Sequence, residues 1–130
     1  MNMRQFLLLS APVFAALFSS RALAQEAQEP YLQLAEIEID PARLDAYKAA
    51  AKEQIEAAIL LEPGVLVLYS VSERDNPAHI KVFEIYRDAG AYRAHLQTAH
   101  FRKYKAATEP MVKSLKLIRT VPVMLGAKPQ

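Results

Sequence analysis

Apolar and polar residues alternate over four stretches of the chain, as expected for β-strands that have a buried face. The predicted strands are residues 31–39, 65–71, 79–86 and 114–124. Between them, two stretches carry apolar residues at three- and four-residue steps, which indicates amphipathic helices. The order βαββαβ is typical of the ferredoxin-like α+β arrangement, a four-stranded antiparallel sheet with both helices on one face.

Capping and helix-breaking residues set the predicted helix boundaries. Asp40-Pro41 begins the first helix, because Asp accepts from free backbone N–H groups and Pro suits the first turn. Glu62-Pro63-Gly64 ends it. The second helix begins near Asp88, can break at Thr98, and has Pro110 near its end. The apolar stripe of the first helix is formed by Leu44, Tyr47, Ala51, Ile55, Ala58 and Ile59.

The strands carry apolar residues on more than one face. In the first strand the apolar pattern changes from Leu32 and Leu34 on one face to Ala35 and Ile37 on the other, which a β-bulge or an edge position would explain. In the second strand one face is predicted to hold Val65, Val67, Tyr69 and Val71, and the other to hold Leu66 and Leu68. The helices cover only one face of the sheet, and the other face also carries apolar residues that need to be covered. The pattern therefore predicts a homodimer whose sheets face each other.

Residues 1–24 have the three regions of a secretory signal peptide. Arg4 makes the n-region positive, an apolar run occupies residues 6–18, and Ala22 and Ala24 are the small residues before the cleavage site. The run is shorter than the about 20 residues of a membrane span. We expect cleavage after Ala24, a periplasmic or secreted protein, and no stable membrane anchor afterwards. Residues 25–30 are then a flexible leader, 31–124 one domain and 125–130 a C-terminal tail.

Composition excludes several classes of partner and cofactor. The full chain has 16 basic and 14 acidic residues, and loss of residues 1–24 removes Arg4 and Arg21 and no acid, leaving 14 of each. We therefore expect no nucleic-acid partner. The chain has no cysteine and three glycines, which excludes thiolate chemistry and a Gly-rich phosphate loop. On a continuous helix His95 and His100 would lie about 140° apart, which makes them a poor metal pair, so no metal is expected.

Several polar residues are predicted to lie on elements that are largely buried. Glu84 shares a strand face with Tyr86, and His95 lies on the helix face that should contact the sheet. Together with Tyr69 they could line one cavity, where carboxylate, phenol and imidazole can take a proton from a phenolic or enolisable substrate. Each also has a structural interpretation, as a hydrogen-bonded core carboxylate, imidazole or tyrosine. His79 and His100 are interpreted as rim residues.

Three stretches of the chain resemble the antibiotic biosynthesis monooxygenase (ABM) family, which includes quinol monooxygenase-like members. Glu62-Pro63-Gly64 leads into residues 65–69 and matches the family's "EPG… Y". Asp75-Asn76-Pro77 leads into residues 83–88, which match "E-x-W/Y-x-D". Residues 94–101 match "H-x-x-T/S-x-H-F". The resemblance covers about residues 31–123, and the three motifs in this order are specific for the family rather than for a reaction.

The resemblance implies a dimeric α+β barrel with a pocket between sheet and helices in each subunit. It also implies a cofactor-independent monooxygenase that oxidises a small aromatic such as a quinol with O₂. His95, Glu84 and Tyr86 are then the catalytic residues, with His95 as the base that Glu84 orients. Tyr69, Tyr92 and Phe101 are the substrate-binding residues.

Other functions are compatible with the same motifs. Tyr86 stands where many relatives have Trp, and the chain has no Trp, which argues against the haem-degrading branch of the family. Two alternatives stay open: a non-catalytic domain, stress-linked or binding a small ligand, and an isomerase that acts by proton transfer. The discriminating feature is the cavity, since catalysis requires Glu84 and His95 to open onto one shared pocket.

Overall fold

The structure, a computed structural model, describes residues 29–130. The predicted signal peptide and most of the leader lie outside the described residues. The strands are β1 (Tyr31–Ile39), β2 (Val65–Ser72), β3 (His79–Tyr86) and β4 (Val112–Thr120). The α-helices are α1 (Leu44–Leu61), α2 (Ala89–Gln97) and α3 (Ala99–Thr108), and short 3₁₀ turns at Pro41–Arg43 and Glu109–Met111 precede α1 and β4.

The four strands form one antiparallel sheet in the order β2-β3-β1-β4. With the three helices this gives the ferredoxin-like α+β fold, so the predicted fold class is confirmed. β1 is a central strand, so the edge position considered for it is wrong. Its register is regular at Leu34 and Ala35, where the apolar pattern changes face, and the β-bulge lies farther along, at Glu38/Ile39 against β4. Within residues 29–130, none of the helices has the length and hydrophobicity needed to cross a bilayer.

β4 starts two residues earlier and ends four residues earlier than predicted. Its pairing with β1 ends at Thr120, opposite Leu32. Pro122 has no N–H to donate to a continuing ladder, and Val121 and Val123 are 83% and 102% exposed. The predicted strand was therefore too long because the residues after Thr120 are apolar but do not pair with β1.

The core lies between the sheet and helices α1 and α2, in two clusters. One is centred on Tyr47 and Ile80, and the other on Ala58, Tyr86 and Ala91. The buried face of α1 repeats at steps of four, three and four residues, through Tyr47, Ala51, Gln54 and Ala58. Ile59 was predicted to share this face, but it is 52% exposed, because it lies 100° around the helix from Ala58.

Candidate functional site

A cavity of about 350 Å³ that is partly open to solvent lies between the sheet and the helices. Its size is within the range of small-molecule sites. All three predicted catalytic residues and two of the three predicted substrate-binding residues line it: His95, Glu84, Tyr86, Tyr92 and Phe101. Glu84 and His95 thus share one pocket, which was the condition set by the sequence for a catalytic role.

Tyr69 does not line this cavity. It lies opposite Phe83 in the β2–β3 ladder and is 64% exposed. The register of β2 shifts between Val65 and Val67, so Val65 and Leu68 are buried while Tyr69 lies on the other face. The assignment of Tyr69 as a pocket wall was wrong because the strand does not alternate regularly through this bulge.

His95 is held by Glu62, a residue that was predicted only to end the first helix. His95 is 1% exposed, and its Nδ1 lies 2.8 Å from Glu62 Oε2. His100 Nε2 lies 2.6 Å from the same oxygen. The structure therefore gives Glu62 as the hydrogen-bond partner of His95 in place of the expected Glu84.

A break between two helices brings His95 and His100 together. Thr98 has extended backbone, caps α3 by accepting from Phe101 N, and donates its hydroxyl to the His95 carbonyl at 2.7 Å. The chain changes direction there, so the 140° separation calculated for a continuous helix does not apply. The two imidazoles reach one carboxylate because they lie on different helices.

The Glu62 contact fixes which nitrogen of His95 can act as a base. A carboxylate only accepts hydrogen bonds, so Nδ1 donates to Glu62 and Nε2 is left as the acceptor of the neutral ring. The ring packs against Tyr86 and Phe101, with centroids 5.4 and 4.8 Å away. An oriented imidazole in an apolar wall is suited to proton abstraction from a bound substrate.

Glu84 anchors a second polar network at the sheet surface. Its two oxygens accept from Gln33 Nε2 at 2.9 Å and from Tyr86 OH at 2.8 Å. Gln33 and Glu84 are directly opposite in the β1–β3 ladder, which places both side chains on the cavity face. Burial and the Glu84 charge raise the pKa of Tyr86, so its hydroxyl stays protonated and donates.

Glu62, His95 and His100 are a set in residues 29–130 that could hold a metal ion, with ligand atoms within 4.8 Å of one another. Ligand atoms around a tetrahedral zinc ion at about 2.05 Å would lie about 3.3 Å apart. The two nitrogen-to-oxygen distances of 2.8 and 2.6 Å are those of hydrogen bonds. In this arrangement one Glu62 oxygen is hydrogen-bonded to both imidazoles.

Sequence reasoning missed three polar residues of the site. Glu62 carried a signal as the first residue of the EPG motif, which was interpreted as a helix stop. Gln33 faces the cavity because it lies on the same face of β1 as Ala35 and Ile37. Gln54 is buried in the middle of the α1 face, and its Oε1 has no hydrogen-bond partner among the described residues.

The family model for antibiotic biosynthesis monooxygenase matches residues 30–107, which is more than half of the chain. The chain belongs to the antibiotic biosynthesis monooxygenase family. No curated protein matches it. A solved structure named "Putative antibiotic biosynthesis monooxygenase from Bacteriodes thetaiotaomicron VPI-5482" is 47% identical, with a TM-score of 0.75 over 80% of this chain and 99% of that one.

Two further ABM-like structures are more distant. A "putative monooxygenase from Lactobacillus acidophilus NCFM" is 27% identical, with a TM-score of 0.68, and the match covers 71% of this chain and 45% of that one. A "putative antibiotic biosynthesis monooxygenase" from Caulobacter crescentus CB15 is 20% identical, with a TM-score of 0.67 over 78% of this chain and 99% of that one. The last similarity shows the fold alone. Membership of the ABM family supports a monooxygenase-like role.

Proposed function

We propose that this ABM-family protein is a cofactor-independent monooxygenase that oxidises a small aromatic, such as a quinol, with O₂. The observation that carries the proposal is the buried imidazole of His95 in the wall of an apolar cavity, with its Nδ1 held by the Glu62 carboxylate. The pair supplies an oriented base where a phenolic substrate would bind. The family assignment supports the same class of reaction.

In the proposed mechanism the substrate supplies the electrons. His95 Nε2 takes the proton of a substrate hydroxyl, and the Glu62 carboxylate stabilises the imidazolium that forms. The electron-rich phenolate then reacts with O₂. For a hydroquinone the balanced reaction is hydroquinone plus O₂ to hydroxyquinone plus water, so that one oxygen atom is inserted into the ring and the other leaves as water.

Export would suit this chemistry. We propose that residues 1–24 direct secretion and are removed after Ala24, giving a periplasmic or secreted protein. Soluble nicotinamide pools belong to the cytoplasm, so an exported oxygenase gains from a substrate that brings its own electrons. Expression with residues 1–24 should give a mature protein whose first residue is Gln25, and an intact N-terminus would contradict the proposal.

Oxygen uptake tests the proposed reaction directly. The mature protein is mixed with a panel of hydroquinones, and O₂ consumption is recorded with and without catalase, alongside ¹⁸O₂ incorporation into the product. We expect one ¹⁸O atom per product and no release of O₂ by catalase. The His95→Ala variant should lose about 10²- to 10⁴-fold of the rate.

His79→Ala is the matched control. His79 lies at the start of β3, outside the cavity, near Glu38 and Glu73, and its loss should leave the rate unchanged. The proposal is wrong if no quinol gives uptake above the buffer rate. It is also wrong if His95→Ala retains the wild-type rate.

A further inference from the structure

The Glu84 carboxylate is held by neutral hydrogen-bond partners. Its hydrogen-bond donors are the Gln33 amide and the Tyr86 hydroxyl. Among residues 29–130, no Lys, Arg or His nitrogen lies within 4.0 Å of it, whereas six other acidic residues do have such a partner: Glu38, Glu53, Glu56, Glu62, Glu73 and Asp88. A partly buried carboxylate without a cation is costly to maintain.

Aromatic residues line the same cavity as this carboxylate. The cavity is lined by the rings of Tyr47, Tyr86, Tyr92, Phe101 and Tyr104. Burial raises the pKa of all four of these tyrosines, and the Glu84 charge adds to the rise. The faces of such rings attract cations, so a cavity that holds both aromatic rings and a carboxylate is suited to an ammonium group.

The nearby basic side chains are placed differently. Lys105 lines the cavity but belongs to an exposed position on α3, where solvent and salt screen its charge. Arg119 lies over the ring of Tyr31, with its guanidinium carbon 3.4 Å from the ring centroid. Neither ion-pairs with Glu84, so this carboxylate has no cationic partner among the described residues.

We propose that the aromatic molecule bound in this cavity carries a protonated amine, held by Glu84 and the surrounding tyrosine rings. The proposal rests on the proposed function for the placement of the phenolic hydroxyl at His95. Tyr86 contacts both His95 and Glu84, since its ring packs against the His95 ring and its hydroxyl donates to the Glu84 carboxylate. An aromatic amine that bears a phenol can therefore engage both ends of one site.

The hydrogen-bonding capacity of Glu84 fits this ligand. Each carboxylate oxygen accepts one hydrogen bond from a described residue and has a further lone pair free. An ammonium group can donate to these lone pairs and neutralise the charge. A carboxylate-bearing aromatic would instead bring a like charge to Glu84, and the site should reject it.

A charge series on one skeleton tests the proposal. Tyramine, 4-propylphenol and 3-(4-hydroxyphenyl)propionate share a phenol and a similar side chain, with charges of plus one, zero and minus one. Their binding to the mature wild-type protein is measured by calorimetry at pH 7 without O₂. We expect tyramine to bind at least tenfold more tightly than 4-propylphenol, and the propionate to bind most weakly.

The Glu84→Gln variant assigns the preference to one residue. Gln keeps the size of the side chain but removes the charge, so tyramine should lose its advantage and bind within threefold of 4-propylphenol, whose own affinity should stay unchanged. Glu73→Gln, on the surface beside Lys81, is the matched control and should keep the wild-type order. Circular dichroism melting checks that both variants fold.

Three results would overturn the proposal. They are equal or tighter binding of 4-propylphenol than of tyramine to the wild-type protein, a tyramine preference that persists in folded Glu84→Gln, and no detectable binding of any of the three probes. Because no O₂ is present, the result is independent of turnover. If the protein prefers tyramine but has no oxygenase activity, only the proposed function is wrong. If it turns over quinols but shows no charge preference, only this inference is wrong.

Discussion

A single carboxylate oxygen, Glu62 Oε2, accepts hydrogen bonds from two imidazoles, at 2.8 Å from His95 and 2.6 Å from His100. The two imidazoles differ in access to solvent, since the His95 side chain is 1% exposed and that of His100 is 16% exposed. The buried imidazole is therefore isolated from water except through the cavity. At the scale of single residues, this contact decides the proton location on His95.

Glu62→Gln should lower kcat by about 10²-fold while KM changes little, because Gln still fills the position but cannot stabilise an imidazolium. Steady-state oxygen uptake with the best quinol measures both constants. Glu56→Gln, on the exposed side of α1, is the control and should leave both unchanged. A Glu62→Gln enzyme with wild-type kcat would exclude a role for the carboxylate in catalysis.

Gly64 controls how closely the turn after Glu62 packs against α2. A Cβ at this position would lie 2.6 Å from the Cβ of Ala91, and the Gly64 carbonyl accepts from Arg87 N at 2.8 Å. Gly64→Ala should therefore lower the free energy of unfolding by about 1–3 kcal/mol. Gly126→Ala, where a Cβ meets no atom within 4 Å, is the control in urea denaturation, and equal stability of the two variants would contradict the packing argument.

At the scale of elements, the junction of α2 and α3 positions the site. Asp88 caps α2 by accepting from Ala91 N at 2.7 Å, and Thr98 both ends α2 and caps α3. His95 lies in the last turn of α2, and His100 in the first turn of α3. The orientation of the two imidazoles toward Glu62 therefore depends on where one helix stops and the next begins.

Asp88 makes the stability of α2 depend on pH. The hydrogen bond from Ala91 N and the neighbouring Arg87 guanidinium hold the pKa of Asp88 below its usual value. A carboxyl whose pKa is lowered by folding stabilises the protein above its unfolded pKa of about 3.9, and this contribution is lost as the pH falls through the folded value. Asp88→Ala should thus be less stable than wild type at pH 7, with a difference that shrinks below about pH 4.

Urea denaturation at pH 7, 5 and 3 measures this difference. Asp88→Asn keeps a side-chain oxygen that can cap the helix but does not titrate, so it should be closer to wild type than Asp88→Ala at pH 7. A difference between wild type and Asp88→Ala that stays constant over the three pH values would contradict the assignment of the effect to the Asp88 charge.

At the scale of the whole molecule, apolar residues remain on the sheet face away from the helices. Tyr69 and Val71 on β2 are 64% and 59% exposed, and Phe83 lies beside Tyr69 on the neighbouring strand. An exposed apolar sheet face of this kind is typical of a surface that a second copy covers. The homodimer with facing sheets therefore stays our prediction.

Light scattering of the mature protein at micromolar concentration should give twice the mass of one chain. Phe83→Asp should shift this mass toward that of one chain, because it places a charge in the predicted interface. Leu60→Asp, at an 81% exposed position of α1, should leave the dimer intact. A wild-type mass equal to that of one chain would contradict the predicted homodimer.

The element order could be predicted from the sequence because it depends on local patterns. The bounds of β1 and β3, the Asp40 and Asp88 caps and the break at Thr98 all follow from nearby residues. The alternation of side chains along β3 also predicted that Glu84 and Tyr86 lie on one face, which is the face of the cavity. These features need no knowledge of distant contacts, since alternation and capping act over a few residues.

Only the tertiary structure decided which residues meet. Glu62 and His95 are 33 residues apart, and no local pattern marks the end of α1 as the partner of an imidazole on α2. A register shift in β2 moved Tyr69 out of the site, which regular alternation could not reveal. The sequence determined the elements and placed five of the six predicted site residues in the cavity wall, whereas packing between distant elements determined the partner of the proposed base.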